Sequence, residues 1–185
     1  MKHLLSPATL LFVTAALAHP VPDIPVRTWF TTDGGCTVTV EVDPRCFEPD
    51  PNTAASLMQP ILPTLSAERR AELMTKAAAL VKKYVVFEFD PTGPVQPEFT
   101  FEFTGHDRAP LVREEDIVVL TGTWTTRAPA GSAAWRIQAT KETPLAIVFR
   151  NYFEGREQPQ FSVLFPGETS FAFKFDKPTA PPPQK

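Results

Sequence analysis

Histidine is the residue type with the greatest potential for metal chemistry in this chain, and it is scarce. The 185-residue sequence has three histidines, His3, His19 and His106. We predict that cleavage after Ala18 removes His3 and makes His19 the first residue of the mature chain. The amine and imidazole of such a residue can chelate one metal ion, and the imidazole of His106 would complete a three-nitrogen set that suits Cu(II). Asp107 would offer a further ligand beside it.

This combination resembles the histidine-brace copper proteins, such as lytic polysaccharide monooxygenases and the periplasmic copper carriers of β-sandwich fold. The resemblance rests on His19 and His106 together with the architecture class. It implies copper as the cofactor and these two residues as its nitrogen ligands. The alternative is that His19 simply follows a cleavage site and that His106 is a polar loop residue.

The start of the sequence has the features of a secretory signal peptide. Lys2 supplies the positive charge, residues 4–17 are largely apolar, and Ala16-Leu17-Ala18 is a small-x-small cleavage site. We therefore expect residues 1–18 to be removed and the protein to be exported to the periplasm or the extracellular space. No later run approaches the roughly 20 apolar residues that span a bilayer, so we expect no integral membrane segment in the mature chain.

Composition and motifs narrow the classes of function. The net charge of −3 gives no electrostatic footprint for nucleic acid. The sequence contains no Gly-x-Ser-x-Gly elbow, no phosphate-binding glycine loop and no His-Glu-x-x-His helix. We therefore expect a non-catalytic module that binds a protein or small ligand, or has a structural role.

A carbohydrate-binding module is a further hypothesis. Trp29, Trp124 and Trp135 could form a sugar-binding platform if they are exposed. All three lie in strand-like patterns, however, where burial in the core is the more common fate of tryptophan.

Alternating phenylalanines predict the fold that must position the candidate site residues. Their period of two is that of a half-buried strand, and three short runs contain eight of the fifteen phenylalanines. We expect the first two runs, separated by a Pro- and Gly-rich segment, to pair as antiparallel strands, and all eight side chains to share one core. These residues are Phe87, Phe89, Phe99, Phe101, Phe103, Phe171, Phe173 and Phe175.

Between the early strands and the phenylalanine strands, the apolar period changes to that of a helix. Leu73, Ala77, Leu80, Val81 and Tyr84 form one stripe, and we predict a helix from Leu65 to Lys83. We predict a mostly β fold, an antiparallel β-sandwich-like two-layer domain with one inserted amphipathic α-helix. The β-rich domain should span residues 19–176, with a helical insertion at about 50–83 and a Pro-rich disordered tail at 177–185.

The segment after the cleavage site is rich in proline. Alternate prolines in residues 19–26 predict an extended arm and argue against a central strand. Asp33-Gly34-Gly35 predicts a hairpin turn into the strand at residues 37–42.

Cys36 and Cys46 are the only cysteines. Export favours a disulfide, whereas a regular strand between them would keep the two Cα atoms too far apart, beyond about 7 Å. The alternative is a pair of buried free thiols, and two cysteines without further ligands are weak support for zinc.

Overall fold

The chain folds into two packed β-sheets and one long α-helix. The structure, a computed structural model, describes residues 22–175. The elements within this range are β1 (Ile24–Phe30), β2 (Gly35–Val42), α1 (Ala67–Tyr84), β3 (Val85–Asp90), β4 (Gly93–Val95), β5 (Thr100–Thr104), β6 (Val119–Arg127), β7 (Ala134–Ala139), β8 (Ile147–Phe153), β9 (Arg156–Leu164) and β10 (Phe173–Lys174).

The strands form a six-stranded sheet in the order β5-β6-β2-β1-β8-β9 and a four-stranded sheet in the order β10-β7-β3-β4. Neighbouring strands are antiparallel except for β1 and β8, which are parallel. Aromatic contacts join the two sheets across the core, as between Phe30 and Trp135, whose ring centroids are 6.1 Å apart. The predicted β-sandwich-like domain with one inserted helix is confirmed.

The N-terminal segment contradicts one prediction. Alternate prolines argued against a central strand, yet β1 includes Pro25 and lies inside the larger sheet, between β2 and β8. The N–H of Ile24 points towards β8, where it donates to the carbonyl of Ala146, so the nitrogen of Pro25 faces β2. Pairing with β2 begins only at Val26, opposite Val40, and the N–H that Pro25 lacks is therefore not needed. The predicted hairpin between β1 and β2 is confirmed.

The first two phenylalanine runs do not pair with each other, which corrects a second prediction. β3 belongs to the four-stranded sheet, where its hairpin partner is the short strand β4, whereas β5 pairs with β6 in the other sheet. The chain crosses between the sheets after β4. Phe87 and Phe99 consequently meet through the core, with ring centroids 5.6 Å apart.

The predicted phenylalanine core is otherwise confirmed. Phe87, Phe89 and Phe173 are buried. The other five are half-buried and pack against the same core; they are Phe99, Phe101, Phe103, Phe171 and Phe175. The period of two therefore identified which side of each strand faces the core, but it did not identify which strand lies next to it.

The helix forms close to its predicted limits. The Ser66 hydroxyl accepts a hydrogen bond from the backbone N–H of Arg69 at 3.2 Å and caps the first turn. Four residues of the predicted apolar stripe are buried, and the fifth, Tyr84, is half-buried; the buried residues are Leu73, Ala77, Leu80 and Val81. This face packs against β3, β5 and β6.

The two cysteines are not bonded to each other. Cys36 is buried at the start of β2, and Cys46 lies in the short 3₁₀ turn that follows this strand. The six residues of β2 that follow Cys36 are extended at about 3.3 Å per residue and keep the two cysteines apart, which explains the absence of a disulfide.

Several predictions concern residues outside the described range. They are the signal peptide at 1–18, the metal ligand His19 and the tail at 177–185. Among residues 22–175, the structure contains no helix with both the length and the apolar character needed to cross a bilayer.

Candidate functional site

The outward face of the larger sheet carries a cluster of arginine and aromatic side chains. Successive strand residues point to opposite faces, so Arg27 and Trp29 of β1 point outward while Val26 and Phe30 are buried. The same alternation in β8 turns Arg150 and Tyr152 outward. Parallel pairing of these two strands then brings both pairs of residues side by side.

Trp29 and Tyr152 form the aromatic part of this face. They are opposite each other in the β1–β8 register. Their rings stack with centroids 5.0 Å apart and an interplanar angle of 14°. Trp124 and Trp135 have different fates, because Trp135 is fully buried and Trp124 is half-buried against the core. Of the three predicted platform tryptophans, Trp29 alone faces outward from the larger sheet.

These side chains line an open groove of about 490 Å³, which we call the arginine groove. Three arginines and one carboxylate contribute the charged groups of its lining, on a chain whose net charge is −3. The lining residues are Pro25, Arg27, Trp29, Thr39, Asp107, Arg108, Val148, Arg150 and Tyr152.

Glu41 of β2 connects the groove to the loop after β5. Its side chain is only 2% exposed, and Oε1 accepts hydrogen bonds from Arg27 Nη1 at 2.5 Å and from the backbone N–H of Asp107 at 3.0 Å. The Nδ1 atom of His106 lies 3.5 Å from Oε2. A buried carboxylate needs such partners, because burial without them is costly. Arg27 also pairs with the carboxylate of Asp107.

Titration properties follow from these contacts. Burial on its own would raise the pKa of Glu41, but His106, Arg27 and the N–H of Asp107 together outweigh it and lower that pKa. The Glu41 carboxylate in turn raises the pKa of His106 by hydrogen bonding, against the effect of partial burial. Glu41 is therefore an ionised anchor.

The loop held by Glu41 has a strained backbone. Residues His106–Arg108 form a 3₁₀ turn in which Asp107 and Arg108 have φ values of 56° and 60°. Residues other than glycine occupy this left-handed region at a cost of about 1–2 kcal/mol each. Such strain persists where the surroundings fix it, and it is concentrated at functional sites. In this protein the strained turn places Arg108 at the arginine groove.

His106 faces a second concavity, of about 350 Å³, which we call the histidine cavity. Glu41, Asp43 and Arg45 also line it, and so do Pro22 and Asp23, the first two described residues. Asp43 is buried and pairs with Arg45 at 2.7 Å.

The structure separates the two described residues of the predicted metal site. His106 lines the histidine cavity, whereas Asp107 lines the arginine groove and pairs with Arg27. His19 lies outside the described range. Among residues 22–175, no group of three or more His, Cys, Asp or Glu side chains is arranged to hold a metal ion.

Apart from Trp29 and Asp107, the residues that line the arginine groove were not predicted from the sequence as site residues. A signal for them exists, because an arginine lies two residues before an aromatic residue in each strand-like run, as in Arg27-Thr28-Trp29 and Arg150-Asn151-Tyr152. That pattern predicts two outward-facing pairs. It does not predict that the pairs are neighbours.

Comparison with models of known protein families gave no match for this chain, and comparison with curated proteins gave none either.

Proposed function

We propose that this protein is an exported, non-catalytic carbohydrate-binding module whose ligand lies in the arginine groove. The observation that supports this proposal is the stacked pair of Trp29 and Tyr152 in a groove that also contains guanidinium and hydroxyl groups. Export rests on the sequence of residues 1–18.

The chemistry of the groove suits a sugar ring. The C–H faces of a sugar are apolar and pack against aromatic rings, whereas its hydroxyl groups need hydrogen-bond partners. Arg27, Arg108 and Arg150 supply donors, and Thr39 supplies a hydroxyl that can donate and accept. The groove is open and lies on strands, which suits an extended ligand on a rigid surface.

The test is binding of purified protein to an array of neutral and acidic oligosaccharides, followed by calorimetric titration of the best ligand. We expect Trp29→Ala to weaken binding at least about tenfold, a change of about 1.4 kcal/mol. Phe165→Ala is the matched control, because Phe165 is an exposed aromatic residue outside the groove. Circular dichroism verifies that each variant is folded.

Two results would contradict the proposal. One is the absence of binding to every oligosaccharide on the array. The other is equal affinity of the folded Trp29→Ala variant and the unmodified protein.

A second candidate function is copper binding by His19 and His106. The supporting observation is that Pro22 and Asp23 line the same cavity as His106. His19 precedes Pro22 by three residues, and an extended chain spans up to about 3.5 Å per residue, or about 10 Å here. The brace needs the amine and imidazole of His19 with one nitrogen of His106, and it does not need Asp107.

Processing of the N-terminus tests the copper proposal. Protein that begins at His19 should bind Cu(II) far more tightly than protein with an added N-terminal residue, because the extension converts the amine into a peptide nitrogen. His106→Ala should weaken binding by the processed form. Equal titration curves for extended and processed protein would exclude the brace.

A further inference from the structure

We propose that the arginine groove selects sugars that carry carboxylate groups, so that its ligand is a uronic-acid oligosaccharide. This inference rests on the proposed carbohydrate-binding function and adds the chemical class of the ligand. It concerns the roles of Arg108 and Arg150 as carboxylate-binding residues beside the Trp29–Tyr152 stack.

The composition of the lining favours an anionic ligand. A neutral sugar needs hydrogen-bond donors and acceptors in similar number, whereas guanidinium groups only donate. The groove contains three of them against the single carboxylate of Asp107, and Arg27 already occupies that carboxylate. Guanidinium is the group whose planar fork matches a carboxylate with two parallel hydrogen bonds.

Arg108 and Arg150 can exchange their present partners for a ligand. Arg108 lies 3.4 Å from Glu102, and Arg150 lies 3.1 Å from Glu157. All four side chains are between 45% and 55% exposed. Ion pairs this exposed are weak and are readily replaced.

Arg27 has a different role, because it is held in place. Its side chain is 18% exposed and contacts both the buried Glu41 and Asp107. We therefore assign Arg27 as a positioning residue, which with Glu41 holds the strained turn that carries Arg108. Arg108 approaches the groove from this turn, and Arg150 approaches it from β8.

The probe is an oligogalacturonate compared with its methyl ester, which has the same sugar backbone without the charge. We expect the acid to bind at least about tenfold more tightly than the ester, with an affinity that falls as salt is raised. Arg108→Gln and Arg150→Gln should each weaken binding of the acid much more than binding of the ester, because the ester can use these side chains only as hydrogen-bond donors. Arg69→Gln is the matched control, since Arg69 is a similarly exposed, ion-paired arginine on α1.

The outcomes separate this inference from the function on which it rests. Acid and ester bound equally, with both lost in Trp29→Ala, would overturn acid selection while the carbohydrate-binding function stands. Acid binding that survives in the double variant of Arg108 and Arg150 would also overturn it. If neither probe binds while a neutral oligosaccharide does, the ligand class is wrong, and if no oligosaccharide binds, the proposed function fails as well.

Discussion

At the scale of single residues, Glu41 has the most consequential environment. It is a nearly fully buried carboxylate on the outward side of the larger sheet, and its partners come from β1 and from the turn after β5. Removing one partner of a buried ion pair destabilises the folded protein, because the remaining charge is then buried without an opposite charge beside it.

Glu41→Ala tests this dependence. We expect the free energy of unfolding to fall by about 3 kcal/mol, because Arg27 and the N–H of Asp107 lose a buried acceptor. Glu102→Ala is the control, since that carboxylate is 55% exposed and its removal should change stability by less than about 1 kcal/mol. Urea unfolding followed by tryptophan fluorescence measures both. Equal losses in the two variants would show that Glu41 is not an anchor.

The two cysteines give a second prediction. Burial raises the pKa of Cys36 and of Cys46 to about 12, so neither thiol is ionised near neutral pH. Because the thiolate is the reactive form, we expect negligible reaction with a disulfide reagent at about pH 8 in the folded protein. Both thiols should react once urea unfolds the chain. Rapid labelling of the native protein would contradict the raised pKa values of the thiols, and a lack of labelling after unfolding would reveal a disulfide.

At the scale of elements, Gly122 determines how β5 and β6 fit together. It lies opposite Phe101 in the β5–β6 register, and the aromatic ring covers the space that a side chain would occupy. A Cβ atom added at Gly122 would lie 2.7 Å from this ring and 3.0 Å from Val40 Cγ2. The glycine therefore permits close packing of an aromatic side chain over the strand.

A double-mutant cycle tests this contact. Gly122→Ala should destabilise the protein by about 1–3 kcal/mol, because overpacking displaces the Phe101 ring. Replacing Phe101 with leucine in the same chain should recover part of that loss, so the two changes should be non-additive by at least about 0.5 kcal/mol. Thermal unfolding of the two single variants and the double variant measures the coupling. Strict additivity would argue against the contact.

At the scale of the whole molecule, the two concavities lie on either side of one ion-pair cluster. Arg27 and Asp107 face the arginine groove, whereas His106 faces the histidine cavity, and Glu41 contacts all three. The first described residues also reach the histidine cavity. If cleavage follows Ala18 as predicted, Pro22 is the fourth residue of the mature chain.

N-terminal processing can be measured directly. We expect the form recovered from the periplasm or culture medium to begin at His19, because Ala16-Leu17-Ala18 is a suitable cleavage site. Intact-mass measurement and N-terminal sequencing establish the first residue. Cleavage at another position would contradict a copper brace at His19. Retention of the intact chain in the cytoplasm would contradict export.

Local patterns in the sequence determined much of the fold. The period of two identified the inward phenylalanines, the change to a helical period identified α1, and Asp33-Gly34-Gly35 identified the β1–β2 hairpin. These features depend on interactions within a few residues, so the sequence contains them directly. The same patterns did not reveal that β3 and β5 lie in different sheets, since alternation specifies which side of a strand is buried and not which strand lies next to it.

The candidate site depends on which strands are neighbours, and the alternation in the sequence does not specify this. Arg27 and Trp29 become part of a groove only because β1 pairs in parallel with β8, more than one hundred residues further along the chain. Arg108 reaches the groove from a turn that Glu41 and Arg27 hold in place. Strand pairing over such distances depends on how the whole core packs. For this protein the sequence alone therefore determined the faces of the strands, and only the tertiary structure determined which faces meet to form a site.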